Sequence, residues 1–428
     1  MLKALLNAFK VPELRSKIFF TLAIVAVYRV GAFIPAPGIN YSEARRLTES
    51  TDNLTRLLNL FSGGALTQLA IFALGIMPYI TASIMMQLLT VVIPKLEEWK
   101  KEGESGTKKI TQWTRYLTVV LAVMQSTGIV VMADRGGFSD SAGQPVDLIP
   151  VFTPFRVMLI VMTLTAGTAL VMWLGEQITQ RGIGNGMSVL IFASVISSLP
   201  VQGSNIRAQL GWAWFTFILF LAILIIVAIV LIEQGQRRVP VQYAKRMVGR
   251  KMYGGGSTYI PLKINQSGVI PIIFASSVLY FPALVVTVIQ WAPLRNFIEN
   301  HVVRPTAIVH IIFYGLLVIG FAYFYTAIAF NPVDVADNMK KYGGFIPGIR
   351  PGRATAEHLS FILSRITLPG ALFIATIAIL PSIALATLNV EALPFGGTAI
   401  LITVGVALET AKQVESQLLM RHYEGFLS

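Results

Sequence analysis

The chain has 428 residues, 54% of them hydrophobic and only 13% charged, with no cysteine. That balance excludes a soluble globular domain, which has no core large enough to bury so much apolar side chain; the missing cysteines exclude disulfides and thiolate metal sites. A net charge of +13 on so apolar a chain points to basic connections on one side of a membrane, and to surfaces that meet anionic lipid, nucleic acid or an acidic partner.

Apolar runs near twenty residues predict about ten membrane spans and no soluble domain. The first, Ile18–Phe33, contains Tyr28 and Arg29 and runs into FIPAPG without a small-x-small cleavage site, so it is expected to be retained as a span rather than removed as a signal peptide. The next apolar stretch, Phe61–Ile93, is too long for one span and is punctuated. Gly63 and Gly64 open a piece that ends near Leu74, too short to cross a bilayer, and Gly75 and Pro78 then interrupt. Proline suits the first turn of a helix, so a new helix is expected near Met77. The expected result is a short half-helix folded into the membrane ahead of a longer one, lining a cavity; the alternative is a kinked but ordinary helix. Further spans are expected at Tyr116–Met132, Phe155–Leu174, Met187–Leu199, Trp212–Ile232, Val269–Val288, Ala307–Phe330, Ile366–Leu388 and Phe395–Leu408, the last continuing into Glu409–Gln417.

With the N-terminus cytoplasmic, most of the basic residues fall inside, including the Lys95–Lys109 cluster and the loops 233–266 and 331–364, as the positive-inside bias requires. Both termini are then cytoplasmic. The stretch Pro200–Gly211 reads as an external connection between two halves, residues 1–200 and 201–428. Five spans in each half would place the halves in opposite orientations. The link GEQITQRGIGNGMS, Gly175–Ser188, lacks the strand and the Lys-Ser/Thr of a phosphate loop; it reads as a tight turn with Asn185 capping the next helix. Arg350 is bracketed by Pro347-Gly348 and Pro351-Gly352, which would present it on a stiff loop tip.

GIMPYITASI, KKEGESG, GEQITQRGIGNG, YAKR followed by STYIPLKIN, and FNP followed by ADNMKKYGGFIPGIRPG occur in that order. As an ordered set, from FIPAPG to the YEG near the C-terminus, they resemble the SecY family of bacterial protein-translocation channels. The resemblance implies an all-α polytopic protein, two inverted five-helix halves around a central pore, in the bacterial plasma (inner) membrane. It implies a plug at Phe61–Leu74, with Phe61, Gly63, Gly64, Ala65, Leu66, Leu69, Ala70 and Leu74. It implies an apolar pore ring of Ile80, Ile84, Met187, Ile191, Ile273 and Ile402; Met187 departs from the usual Ile or Val. Ile80 and Ile84, like Met187 and Ile191, are spaced to share a helix face. A lateral exit for signal sequences and membrane helices is implied between spans two and seven, with Gln125, Ser276, Ser277 and Phe281 at the gate, the polar three exchanging partners on opening.

Docking of motors is implied on the basic loops, at Lys245, Arg246, Arg250, Lys251 and Arg350. The implied partners are the small membrane subunits SecE and SecG, the ATPase SecA, the ribosome, preproteins bearing signal sequences, and anionic lipids. No cofactor or metal is implied and no enzymatic activity. Two other classes were weighed. An ion-coupled transporter also uses inverted halves and broken helices, but ionisable residues inside these spans are scarce. An intramembrane enzyme would need an HExxH or a carboxylate pair within the spans, and neither is written here.

Overall fold

The computed structural model describes residues 9–40, 43–44, 62–66, 68–134, 146, 148–150, 152–243, 246–248, 251–253, 257–288, 291–304, 306–388 and 397–424. Within them the chain is a bundle of helices, most of them apolar: α1 (Pro12–Gly31), α2 (Met77–Val92), α3 (Pro94–Lys101), α4 (Glu104–Asp134), α5 (Pro154–Arg181), α6 (Gly186–Gln234), α7 (Ile270–Val288), α8 (Ala292–Ile298), α9 (Ile308–Ala329), α10 (Pro332–Lys341), α11 (Arg353–Leu388) and α12 (Gly397–Glu424). Every expected span overlaps one of these helices, with α6 carrying two. By length and composition five crossings stand on their own: Glu104–Asp134, Pro154–Arg181, Gly211–Gln234, and the helices entered at Ile308 and Arg353. The protein is a multi-pass, predominantly α-helical membrane protein.

The breaks follow local chemistry. Pro78 occupies the first turn of α2, where a missing N–H costs nothing. Pro94 opens α3, and the residue before a proline is driven out of the helical region. Ile93 accordingly lies at φ −100°, ψ 112°, and the axis turns by 100°. Asn185 caps α6, its side-chain oxygen accepting from the backbone N–H of Met187 at 3.1 Å and Ser188 at 3.4 Å. Two connections carry more structure than the sequence suggested. Pro200–Gly211 is helical: the first arm of α6 runs through Pro200, and the break falls at Gly211 with φ 80°, ψ 178°, a conformation essentially confined to glycine.

The two long basic loops are also not loops throughout. Strands β1 (Gln236–Tyr243), β4 (Ser257–Lys263) and β5 (Gly344–Phe345) form an antiparallel sheet in the order β4-β1-β5, and β2 (Arg246–Val248) pairs with β3 (Lys251–Tyr253) in a hairpin. Val239 and Val241 alternate with exposed residues and pack with Leu262, Met339, Ile346 and Leu359. The period-two pattern wins here because it has a core of its own to bury.

Three apolar cores organise the membrane part. One joins α4 and α5 to the broken segment before α2. A second joins the second arm of α6 to α7, α9, α11 and α12. A third lies between these groups and draws on α1, α2, α5, the first arm of α6, α7 and α12. Removing the α6 cap tests how far this architecture leans on local signals: Asn185→Ala should cost about 1 kcal/mol and lower the melting temperature in detergent, whereas Asn185→Ser should retain most of it.

Candidate functional site

The segment between α1 and α2 is where the backbone departs from regular structure inside the bundle. Its described residues from Gly63 to Ile76 run through turns, not the half-helix expected from the sequence. Positive φ values at Gly63, Gly64, Leu69 and Gly75 explain the difference, because a right-handed helix tolerates none of them. An antiparallel bridge to the chain after α1 replaces the helical bonds: the Ala36 N–H donates to the Leu69 carbonyl at 3.0 Å and the Ile71 N–H to the Ile34 carbonyl at 2.9 Å. Ala65, Leu66, Leu69, Ala70 and Leu74 are all buried. Phe61 lies outside the described residues.

The segment is seated within the helices. Leu66, Leu69 and Leu74 pack in one core with Ala122, Ile129 and Val130 of α4 and Ile160 and Leu164 of α5. Gly167 of α5 lets the segment approach closely, since a Cβ there would sit 2.0 Å from the Ile71 carbonyl oxygen. Phe72 and Ile76 turn the other way. They enter the central core together with Ile80 and Ile84 of α2, Ile191 of α6, Ile273 of α7 and Ile402 of α12, while Met187 and Ile71 are partly buried against it. All six residues expected in a ring therefore meet in one apolar junction drawn from both helix groups. Phe72 was not singled out from the sequence, although it is an aromatic set among small and aliphatic residues. Tyr28, which stacks on it with ring centroids 5.7 Å apart, gave no sequence signal beyond its place in a span.

The polar residues flanking this junction each have their own surroundings. The Ser277 hydroxyl is buried and donates to the Ile273 carbonyl at 2.8 Å. The Ser276 hydroxyl donates to the Ile272 carbonyl at 2.9 Å and lies 3.3 Å from the Tyr314 hydroxyl of α9. Gln125 of α4 is buried, and its amide oxygen has no hydrogen-bond partner among the described residues. Serine on a helix satisfies itself on the preceding turn, and Ser276 adds a partner on α9. Phe274 of α7 instead meets Phe321 of α9 edge-on at 5.7 Å, and α7 packs against both α2 and α4. The side chain of Phe281 lies outside the described residues.

With this geometry in place, comparison with known proteins is decisive. The family model SecY matches residues 70–411. The chain belongs to the SecY family. It is 56% identical to the protein translocase subunit SecY of Streptomyces scabiei over 439 residues, covering 100% of both chains. It is 52% identical to that of Corynebacterium glutamicum over 443 residues, again covering both fully. The fold is similar to that of a protein-conducting channel, with a TM-score of 0.64 at 17% identity over 94% of this chain and 91% of the other. It is also similar to canine Sec61 in a ribosome-channel complex, with a TM-score of 0.61 at 17% identity over 94% and 91%.

On this SecY-family chain the basic residues separate into two kinds. In the Lys95–Lys109 cluster, Lys101 pairs with Glu97 at 2.7 Å, Lys108 with Glu104 at 2.9 Å and Lys109 with Glu102 at 2.9 Å. The Lys101 ammonium holds the Glu97 carboxyl below the usual carboxylate range. Arg350 is exposed and follows a tight turn, the Ile349 N–H donating to the Ile346 carbonyl at 3.0 Å across Pro347 and Gly348. Proline second and a positive-φ glycine third is the type II pattern. Arg246 and Lys251 stand on β2 and β3; Lys245 and Arg250 lie outside the described residues.

The close approach at Gly167 can be probed directly. Gly167→Val should push the Ile71–Phe72 backbone out of its seat, and a cysteine at position 72 should then react with a water-soluble maleimide about tenfold faster, as expected where burial weakens by roughly 1.4 kcal/mol.

Proposed function

We propose that this chain is the channel subunit of a protein translocase, passing unfolded polypeptides across a bacterial plasma membrane and releasing transmembrane segments sideways into the lipid. The observation that carries the reading is the apolar junction, where residues of α2, α6, α7 and α12 share one core with Phe72 of the segment before α2. In this reading residues 61–74 are a plug, and Ile80, Ile84, Met187, Ile191, Ile273 and Ile402 are the ring beneath it.

An apolar collar suits a channel that must accept any side chain. Polar ligands would trap some sequences, whereas a dewetted constriction excludes ions when idle and closes around a chain in transit. The lateral exit lies between α2 and α7, where apolar packing resists opening, and the Gln125 amide oxygen, without a partner among the described residues, makes one polar site there available to an incoming helix. No nucleotide-binding motif is present in the sequence, so energy comes from a partner or from the membrane potential.

The remaining assignments follow from the family and the charge distribution. The two halves, 1–200 and 201–428, are inverted repeats, both termini are cytoplasmic, and the sheet and hairpin project into the cytoplasm. Arg350, with Lys245, Arg246, Arg250 and Lys251 around the hairpin, receives SecA and the ribosome, whose phosphates such residues bind in a salt-dependent way. SecE and SecG complete the membrane complex, preproteins are the substrates, and anionic lipids meet the basic face.

A stalled preprotein tests the ring. With a cysteine replacing Ile84, a disulfide should form to a cysteine in the trapped chain and to none in a preprotein lacking its signal sequence; equal crosslinking of both refutes the assignment. For docking, Arg350→Glu should slow SecA-driven translocation about tenfold, the equivalent of roughly 1.4 kcal/mol in docking, with unchanged thermal stability. Wild-type translocation by that variant removes Arg350 from the motor site.

A further inference from the structure

Three buried or half-buried polar groups beside the plug have no part in the channel reading so far. Tyr28 and Arg29 are consecutive residues at the end of α1, and Ser194 lies on the first arm of α6. The Tyr28 hydroxyl is 2.7 Å from the Ser194 hydroxyl. Ser194 in turn donates to the Leu190 carbonyl at 3.0 Å, which leaves Tyr28 as the donor in the pair. Arg29 Nη1 donates to the Gly63 carbonyl at 2.9 Å, and its guanidinium lies 5.0 Å from the centroid of the Phe33 ring.

These contacts converge on both ends of the plug. Gly63, at φ 63°, is wedged at the junction: a Cβ there would sit 2.8 Å from Arg29 Nη1 and 3.2 Å from the Ser194 Cα. At the other end, the Tyr28 ring stacks on Phe72 with an interplanar angle of 10°. Two neighbouring residues of α1 therefore hold the first turn of the segment and its aromatic anchor, and Ser194 ties the same point to α6.

A half-buried arginine at the end of an apolar helix is costly unless its charge finds a partner. Among the described residues Arg29 is held by a backbone carbonyl and a ring face, not by a carboxylate. The carbonyl belongs to the segment that must leave when the channel opens, so departure breaks a charge-assisted bond at a fixed position. The apolar contacts around Phe72 lack that directionality.

We propose that Arg29, supported by Tyr28 and Ser194, is the positioning residue of a latch that sets how readily the plug leaves its seat. The proposal rests on reading residues 61–74 as the plug. The test is resting ion conductance of the complete translocase in planar bilayers, without preprotein. Arg29→Met, which keeps much of the bulk and removes every donor, should raise resting conductance about tenfold, as expected when one hydrogen bond to a charged group is lost. Arg29→Lys should restore most of the seal. Should Arg29→Met fail to assemble, Gly63→Ala attacks the same contact from the plug side and should leak likewise.

The same measurements on a chain lacking residues 61–74 separate the two readings. That deletion should leak by itself, and Arg29→Met should add nothing to it. A deletion without leak overturns the plug, and the latch with it. A leaky deletion alongside a tight Arg29→Met and a tight Gly63→Ala overturns the latch alone. So does an Arg29→Met leak of equal factor with and without the plug, which would place the effect in the pore wall.

Discussion

A peptide group withdrawn from water must find a partner, and nowhere is that more demanding than in a membrane. The stretch from Gly63 to Ile76 has no helix to supply its bonds over the described residues. The chain meets the requirement with borrowed partners: the backbone of Ile34 and Ala36, the Arg29 side chain, and the Ser62 hydroxyl, which accepts from the Leu66 N–H at 3.3 Å. Much of the surrounding architecture serves that arrangement. Small residues, Ala32 with Ala65 and Ala70, let the backbones meet, and Gly167 opens α5 to the carbonyl of Ile71. A segment held by a few non-repeating bonds is one that the bundle can release without unfolding a helix.

The two contacts that hold it differ in kind. The junction around Ile84, Ile191, Ile273 and Ile402 is made of dispersion and water exclusion, which are additive and nearly indifferent to orientation. In the proposed reading, such a surface re-forms against whatever apolar or extended chain replaces Phe72. The Arg29–Gly63 bond is short, directional and specific to one geometry. A non-directional seal tolerates varied cargo, while a directional bond recognises only the resting arrangement.

Much of this was legible in the residues. Gly75 and Pro78 mark the start of α2, Asn185 marks the cap of α6, and the i, i+4 pairs Ile80/Ile84 and Met187/Ile191 lie where a shared face requires. The family resemblance was needed to bring α7 and α12 to the same point, because no local pattern links Ile273 to Ile402. The expected half-helix failed because its apolar string has helical composition, while its real partners lie beyond a long connection, at Ile34 and Ala36. The bonding of the gate serines was not legible, because a serine's place on a helix does not tell whether it bonds outward or to its own turn. Alternation at Val239 and Val241 was present in the sequence, but Pro240 between them and the density of charge obscured it. Arg29 was visible only as a charge near a span end; its role depends on where Gly63 comes to rest.

The β4-β1-β5 sheet carries a consequence for how such a protein is made. β1 follows α6 directly and pairs with β4 before α7 begins, but β5 enters only after α7, α8, α9 and α10. During synthesis from the N-terminus the hairpin of β1 and β4 is therefore complete while one side of β1 still waits at Gln242 and Tyr243 for Phe345 and Gly344. The same interval leaves Val239, Val241 and Leu262 without Met339, Ile346 and Leu359. Nascent chains arrested before and after residue 345 should bracket the moment at which the ends of α6, α7 and α11 become fastened together, an assembly step set by the order of translation rather than by the strength of any single contact.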